Sequence, residues 1–562
     1  MSVCPYSVLG VCLTRAPSAT GYAIFGFSEF LTALALLVLV FSSSDFLYQF
    51  RISVAALPLK TMSFVAVVVI GAGSLLTDLW FAERWYAPPW GVSRAVLQST
   101  FGALFLSTVL LWIWFAYMRP PVFGRWNYKR FYYALFRTVV RGSDAQLAVL
   151  AGELVGSSEP LIRLWGPAIR KGKAHSPQAT EIAAFANDAM LVLNNRKLCR
   201  HIVASAPITA IVFMEEAAKQ KKYSVPLGGF AKKVTEEALR NRDSILFHED
   251  TYGADVLGMV QPFSRAMYGN YRLVEGISDR SDSPLDIDWR LAWEMDGPQF
   301  EAYCRAAMLT FEDYFKSGAY RSHSFVLHRA FDIIEGAGRE VYTLNNQPSG
   351  TTIRTPVARL SAAVHFVDDA IKFLGEQTDL KFGTLRIRDE AKQWQRKTIF
   401  DAIAKMMTEF VFDASSISGP PDVAWTIHYN VVWGRLAAFR EENRATFVIR
   451  FKFFRLLFNE IKELETLPNF KSARILGYCL NVLGLSMEKR SHRRFDHPLR
   501  VAVLRWTQRN YLRLREVHPP VAEHCLIGGI SFDAENERLV KTYAQGLGLE
   551  PSREYLDLDR HA

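Results

Sequence analysis

Three long apolar runs stand before Arg119: about Tyr22 to Phe41, Met62 to Trp80 and Phe101 to Met118. A helix of such a length rises roughly 27–30 Å, which matches the ~30 Å hydrocarbon core of a bilayer. The pattern predicts three transmembrane helices, about 22–41, 62–80 and 101–118. The later run Ile202 to Met214 is about 13 residues long and contains Ser205 and Pro207, so it reads as a buried core helix, not as a re-entrant membrane segment.

From residue 143 onward the apolar positions recur with helical period. Val357, Leu360, Val364, Val367, Ile371 and Leu374 are spaced three and four apart, behind Thr355 as cap and Pro356 in the first turn. Phe300, Cys304, Ala307, Met308, Phe311 and Phe315 repeat the spacing, opened by Asp296-Gly297-Pro298 and closed by Gly318. Further helices are expected at about 143–155, 178–200, 207–221, 229–248, 322–345, 385–412, 421–440, 444–464, 470–487, 498–517 and 533–546. The fold class is therefore all-α. A membrane anchor (1–118) leads through a basic aromatic juxtamembrane segment (119–142) into a large helical domain (143–562), with a subdomain break expected near 276–298.

Charge gives these elements a direction. The third run turns abruptly basic at Arg119, Arg125, Lys129, Arg130, Arg137 and Arg141, interleaved with Trp126, Tyr128, Phe131, Tyr132, Tyr133 and Phe136. Cations behind a span mark its cytoplasmic end, and aromatic rings suit the headgroup layer. Arg51 and Lys60 between the first two runs fall on that same side. The Trp85-Tyr86-Ala87-Pro88-Pro89-Trp90 turn falls outside with the N-terminus, and the helical domain is cytoplasmic. The expected location is the plasma (inner) membrane, multi-pass. A cleaved signal peptide fits the first run less well, because Phe41-Ser-Ser-Ser-Asp lacks a small-x-small site and further spans follow. Six scattered cysteines suit a reducing compartment.

Glu29 lies about seven residues into the first run. Facing lipid it would cost at least ~2.5 kcal/mol. It either sits near the interface or serves as an oligomer contact or polar pore lining. Gly71, Ala72, Gly73 and Ser74 permit close helix approach and self-association into a homo-oligomer.

In the helical domain, Lys489 to Arg515 carries nine cations against the single acid Asp496. Arg505, Arg509 and Arg513 recur at four-residue steps, a guanidinium ladder suited to an anionic partner: nucleic acid, lipid headgroup or acidic protein. His248, Glu249, Asp250 and Asp255 form a weaker cluster whose consecutive residues splay around a helix and do not converge as metal ligands do. The Asp279–Asp288 loop lacks the order of a calcium loop. Phe447, Phe451, Phe454 and Phe458 form an aromatic stripe, which suits a buried helix better than one lying on the leaflet. His323/His328 and His492/His497, five apart, would diverge on a helix. The net charge of +10 is largely a topology signal, since residues 119–142 alone supply six cations and no acid.

No phosphate-cradling glycine loop, nucleophile elbow or H-E-x-x-H occurs. No cofactor, metal or catalytic residue is therefore assigned, and the sequence argues against an enzyme. The leading expectation is a membrane-anchored helical sensor, scaffold or effector platform that contacts membrane lipid and binds a cytosolic or anionic partner. An oligomeric membrane effector or pore triggered by the helical domain is the alternative, and a membrane-tethered enzyme using the His248 cluster comes third.

Overall fold

The computed structural model describes residues 6–8, 11–16, 25–42, 45–87, 93–166, 177–249, 261–278, 282–347, 355–377, 398–437, 443–486, 495–543 and 551–560. The chain divides into two compact units, Met1–Phe230 and Ala231–Ala562.

The first unit contains the apolar helices Phe27–Ser42, Leu59–Ala82 and Arg94–Ile113, the last extended by a π turn over Trp114–Met118. Two of them, Leu59–Ala82 and Arg94–Ile113, are long and apolar enough to cross a membrane, so the expected three spans become two among the described residues. The first run is shortened by polar capping. Gly26 N–H donates to Glu29 (2.9 Å) and Phe27 N–H to Asp78 (3.0 Å), which starts the helix at Phe27. Sixteen residues remain, roughly 24 Å of rise.

Small residues let these helices meet. A Cβ on Gly71 would lie 2.8 Å from the Phe30 ring, and one on Gly73 would lie 2.4 Å from the Phe101 ring. The small-residue stretch therefore seats two aromatic rings of the same chain. At one end of the helices, Val11–Arg15 pairs antiparallel with Tyr86–Ala87. At the other end lie the short helix Phe46–Val54 and the juxtamembrane helix Tyr128–Arg141. These are tied by Asn127 Nδ2 to the Val54 carbonyl (2.7 Å), Arg130 to the Ala55 and Ala56 carbonyls (both 3.1 Å), and Arg51 to Glu153 (2.8 Å). The 178–200 expectation resolves into helices Pro177–Val192 and Arg196–Ser205. The apolar run after Ile202 bends by 103° into Ile208–Lys219, with Ile202, Ala210, Phe213 and Met214 buried.

The second unit is built around Gly297–Lys316 and Thr355–Glu376, which pack so closely that a Cβ on Gly297 would lie 2.6 Å from that of Ala358. Asp296 and Gln299 form a reciprocal capping box, and Gly318 (φ 73°) closes the first of the two helices in the left-handed region. Phe300, Cys304, Ala307, Phe311 and Phe315 are buried as the spacing predicts. The helices Ile399–Ala414, Arg444–Glu463, Phe470–Leu483 and His497–Val517 complete the core.

A strict all-α description needs one correction. Besides the small N-terminal sheet, Ile530–Asp533, Arg538–Thr542 and Arg553–Asp557 form an antiparallel sheet where a 533–546 helix was expected. Asp533 accepts from the Asn536 side chain (2.8 Å) and from Arg538 (2.9 Å), and Glu537 adopts φ 48°. An acid that closes a turn on its own neighbours favours a hairpin over helix continuation.

Candidate anion-binding surface and the other predicted sites

The arginine ladder forms because one helix has two different faces. In His497–Val517, Pro498 occupies the first turn, and Leu499, Val503, Leu504, Trp506, Tyr511 and Leu514 are buried. Four residues advance a helix by about 6 Å and return to nearly the same face. Arg505, Arg509 and Arg513 accordingly stand on one exposed row. Among the described residues none of the three has an ion pair or hydrogen bond. Neighbouring arginines are engaged: Arg500 is buried and donates to the Ser486 carbonyl, and Arg515 pairs with Glu523 (2.8 Å) and covers the Phe532 ring (4.4 Å). A small cleft of about 160 Å³ opens at the C-terminal end of the row, lined by Arg513, Asn510, His518 and Thr466. Trp506 holds its wall by donating to Glu465 (2.7 Å). Residues 489–494, the other part of the basic stretch, lie outside the described residues.

Glu29 is exposed and caps its own helix, a favourable place for a carboxylate beside the positive end of the helix dipole. Its neighbour Asp78, which hydropathy averaging over the second run conceals, holds more together: Arg94 (3.0 Å), Gln98 (3.1 Å) and Phe27 N–H all donate to it.

In the His248 cluster, Glu249 accepts from Phe263 N–H (2.6 Å), Ser264 N–H (3.1 Å) and Ser264 Oγ (2.6 Å). It thereby caps the helix Pro262–Tyr268. Asp250 and Asp255 lie outside the described residues. The structure thus gives Glu249 a structural role, and among the described residues no hydrogen bond or ion pair joins His248 to an acid or base from another helix.

Two histidine expectations come out differently. His492 is not described. His323 precedes the helix Phe325–Glu335, so the five-residue rotation does not apply, and its ring lies 4.1 Å from that of His328. Burial first, and then the facing His328, hold the His323 imidazole below its ordinary value. Glu275 caps the same helix by accepting from Ser324 Oγ (2.8 Å) and Phe325 N–H (3.0 Å). No group of three or more His, Cys, Asp or Glu side chains among the described residues is arranged to hold a metal ion.

The aromatic stripe belongs to a packed helix, Arg444–Glu463, whose Val448, Ile449, Phe453, Leu457 and Ile461 are buried. The stripe itself is not the buried face: Phe447 and Phe451 are exposed, Phe454 and Phe458 are half-buried, and Phe453 packs inward in their place. On the buried side Lys452 pairs with Asp401, both almost fully buried, and Thr398 Oγ1 donates to the same carboxylate (2.7 Å). Two further groups, the half-buried Asp413 and the buried His428, escape sequence inspection. Burial, followed by the field of Glu409, pushes the Asp413 carboxyl up to about 7. Burial lowers His428 to about 4, and its ring is held between the Ala414 carbonyl (3.0 Å) and Asn481 (3.0 Å).

No family model, curated protein or solved structure matches the chain.

Proposed function

We propose that this chain is a membrane-anchored helical platform that captures an anionic partner on Arg505, Arg509 and Arg513, with its helical domain on the cytoplasmic side of the plasma (inner) membrane. The observation that carries the reading is the uncovered apolar surface of the two long helices. Only 28% of the apolar window of Leu59–Ala82 and 11% of that of Arg94–Ile113 is buried within the chain. Water-exposed apolar area of this extent is unfavourable by about 25 cal/mol per Å², and lipid removes that cost. Topology by charge agrees, because the cations Arg51, Lys60 and Arg119–Arg141 gather at one end of the helices. The three guanidinium groups, without ion pairs among the described residues, add a surface of positive charge. Features behind the pore and enzyme alternatives have other employment here: Glu29 caps a helix, Gly71 and Gly73 seat rings, and Glu249 caps a second helix.

The test uses detergent-purified full-length protein on immobilised heparin as a polyanion probe. R505E/R509E/R513E should elute at markedly lower salt, with its melting temperature unchanged. A control reversing the exposed Arg265, Arg272 and Arg329 should shift less. Equal shifts in the two triple variants would remove the ladder's special role. Release of the unmodified chain from membranes by alkaline carbonate, without detergent, would remove the anchor.

A further inference from the structure

We infer that Lys60, Arg137 and Arg141 form a binding site for a phosphate group, presented by an anionic phospholipid at the cytoplasmic leaflet. The inference rests on the membrane reading above. A cleft of about 430 Å³ lies between the helices Phe46–Val54, Leu59–Ala82 and Tyr128–Arg141. That size falls within the range of small-ligand pockets. Its charged lining is all of one sign: Lys60 in the first turn of the long apolar helix, and Arg137 and Arg141 one turn apart at the end of the juxtamembrane helix. Gln49 and Gln146 supply amides, and among the described residues no carboxylate lines it.

The cations of this region divide into two groups. Arg51 pairs with Glu153 (2.8 Å), Lys129 with Glu181 (2.6 Å), and Arg130 caps the Ala55 and Ala56 carbonyls. Those three hold the first unit together. Lys60, Arg137 and Arg141 have, among the described residues, no ion pair and no hydrogen bond, and all three are exposed. Three like charges gathered around one concavity repel each other, and an anion with several acceptor oxygens relieves that repulsion.

The setting selects the source of the phosphate. Lys60 begins a helix whose next turns carry exposed Phe64 (70%), Val65 (53%) and Val68 (51%). On the juxtamembrane helix, exposed Tyr133, Phe136 and Val140 adjoin Arg137 and Arg141. Acyl chains lying along these apolar surfaces would place their headgroup at the cleft. Basic pockets at the cytoplasmic end of membrane helices are a known arrangement for anionic headgroups.

The experiment measures lipid bound to the full-length protein in mixed micelles by native mass spectrometry. Phosphatidylglycerol competes with phosphatidylcholine, with and without inorganic phosphate. Phosphatidylglycerol should be preferred, and each cation removed (K60Q, R137Q, R141Q) should reduce the preference by about fivefold. R505Q/R509Q/R513Q should leave it intact. Strong competition by millimolar inorganic phosphate without lipid preference would assign the same cleft to free phosphate. Equal binding of both lipids, and no effect of phosphate or of R137Q/R141Q at unchanged helical content, would overturn the site. That failure leaves the anchor standing, whereas a chain soluble without detergent would remove the anchor itself.

Discussion

The long helices of the first unit and the core helices of the second dispose of their large apolar residues in opposite ways. Along Leu59–Ala82, Phe64 is 70% exposed and Leu76 is 53% exposed, while Gly71, Ser74 and Thr77 are buried beside Leu59, Ile70 and Phe81. Along Gly297–Lys316 and Thr355–Glu376, the phenylalanines face inward and the charges, Arg359 excepted, lie at least partly exposed. Small and weakly polar inside with large and apolar outside is the arrangement expected of helices that associate in lipid. The reverse is expected in water. Hydropathy singles out the first-unit helices, and the direction of the large side chains separates the two regions in the same sense.

The largest effect that tests this contrast comes from removing a ring from each region. Phe311 is fully buried and meets the rings of Phe315, Phe331, Phe366 and Phe373 at 5.0–6.4 Å. Phe311→Ala should destabilise the second unit by about 3–5 kcal/mol. Phe64→Ala should change the detergent-solubilised protein by less than about 0.5 kcal/mol. Comparable losses in denaturant titrations of the two variants would abolish the distinction.

Buried charge separates the regions nearly as strongly. Lys452→Met leaves Asp401 buried with Thr398 as its remaining partner among the described residues, and should cost about 3–5 kcal/mol. Adding Asp401→Leu should recover part of that loss despite removing a second native group, because an apolar pair needs no desolvation compensation. A double variant less stable than the single one would show that Asp401 matters mainly as the cap of Ile399–Ala414.

Titration gives a subtler comparison within the second unit. Asp413, pushed up to about 7, keeps a proton in the native state that the unfolded chain releases above 3.8, so it makes stability fall as pH rises from about 4 to about 7. His428, lowered to about 4, stays neutral while the unfolded chain takes up a proton below 6.5, so it makes stability fall as pH drops from 6.5 toward 4. The two slopes oppose each other across the shared window. The wild-type unfolding free energy should therefore be nearly flat between pH 4.5 and 6.5 with respect to these groups. Asp413→Asn should expose the histidine slope, roughly 1.4 kcal/mol per pH unit, and should be more stable than wild type above pH 7. An unchanged pH profile in Asp413→Asn would count against the raised carboxyl.

The sequence made legible what depends on neighbours along the chain. The Asp296–Gln299 cap, the Phe300–Phe315 stripe, the exposed Arg505–Arg513 row and the two long apolar runs all follow from residue spacing. It hid what depends on residues far apart. Asp78 gains its role from Arg94, Gln98 and Phe27; the cleft needs Lys60 beside Arg137; and Asp413 is shifted first of all by burial that other helices create. The 533–546 stretch was misread because a local turn, closed by Asp533, overrode an apolar spacing that fits either period. His323 and His328 were misjudged because rotation on a helix was applied to a residue that lies before one.

The narrowest test bears on whether the first unit's helices meet each other or meet another copy. Gly73 lies against Phe101 so closely that an added Cβ would stand 2.4 Å from the ring, and ring carbons of a packed helix cannot swing clear as a flexible chain end would. Gly73→Ala should therefore lower the melting stability of the detergent-solubilised monomer, by about 1–3 kcal/mol as overpacking does. Phe101→Leu in the same chain makes room for the methyl group, and the double variant should recover most of the loss, a coupling that distant sites do not show. If Gly73→Ala instead leaves monomer stability untouched and changes only the mass measured by light scattering, the glycine faces a second copy. The small-residue stretch would then serve self-association in place of the intramolecular seat.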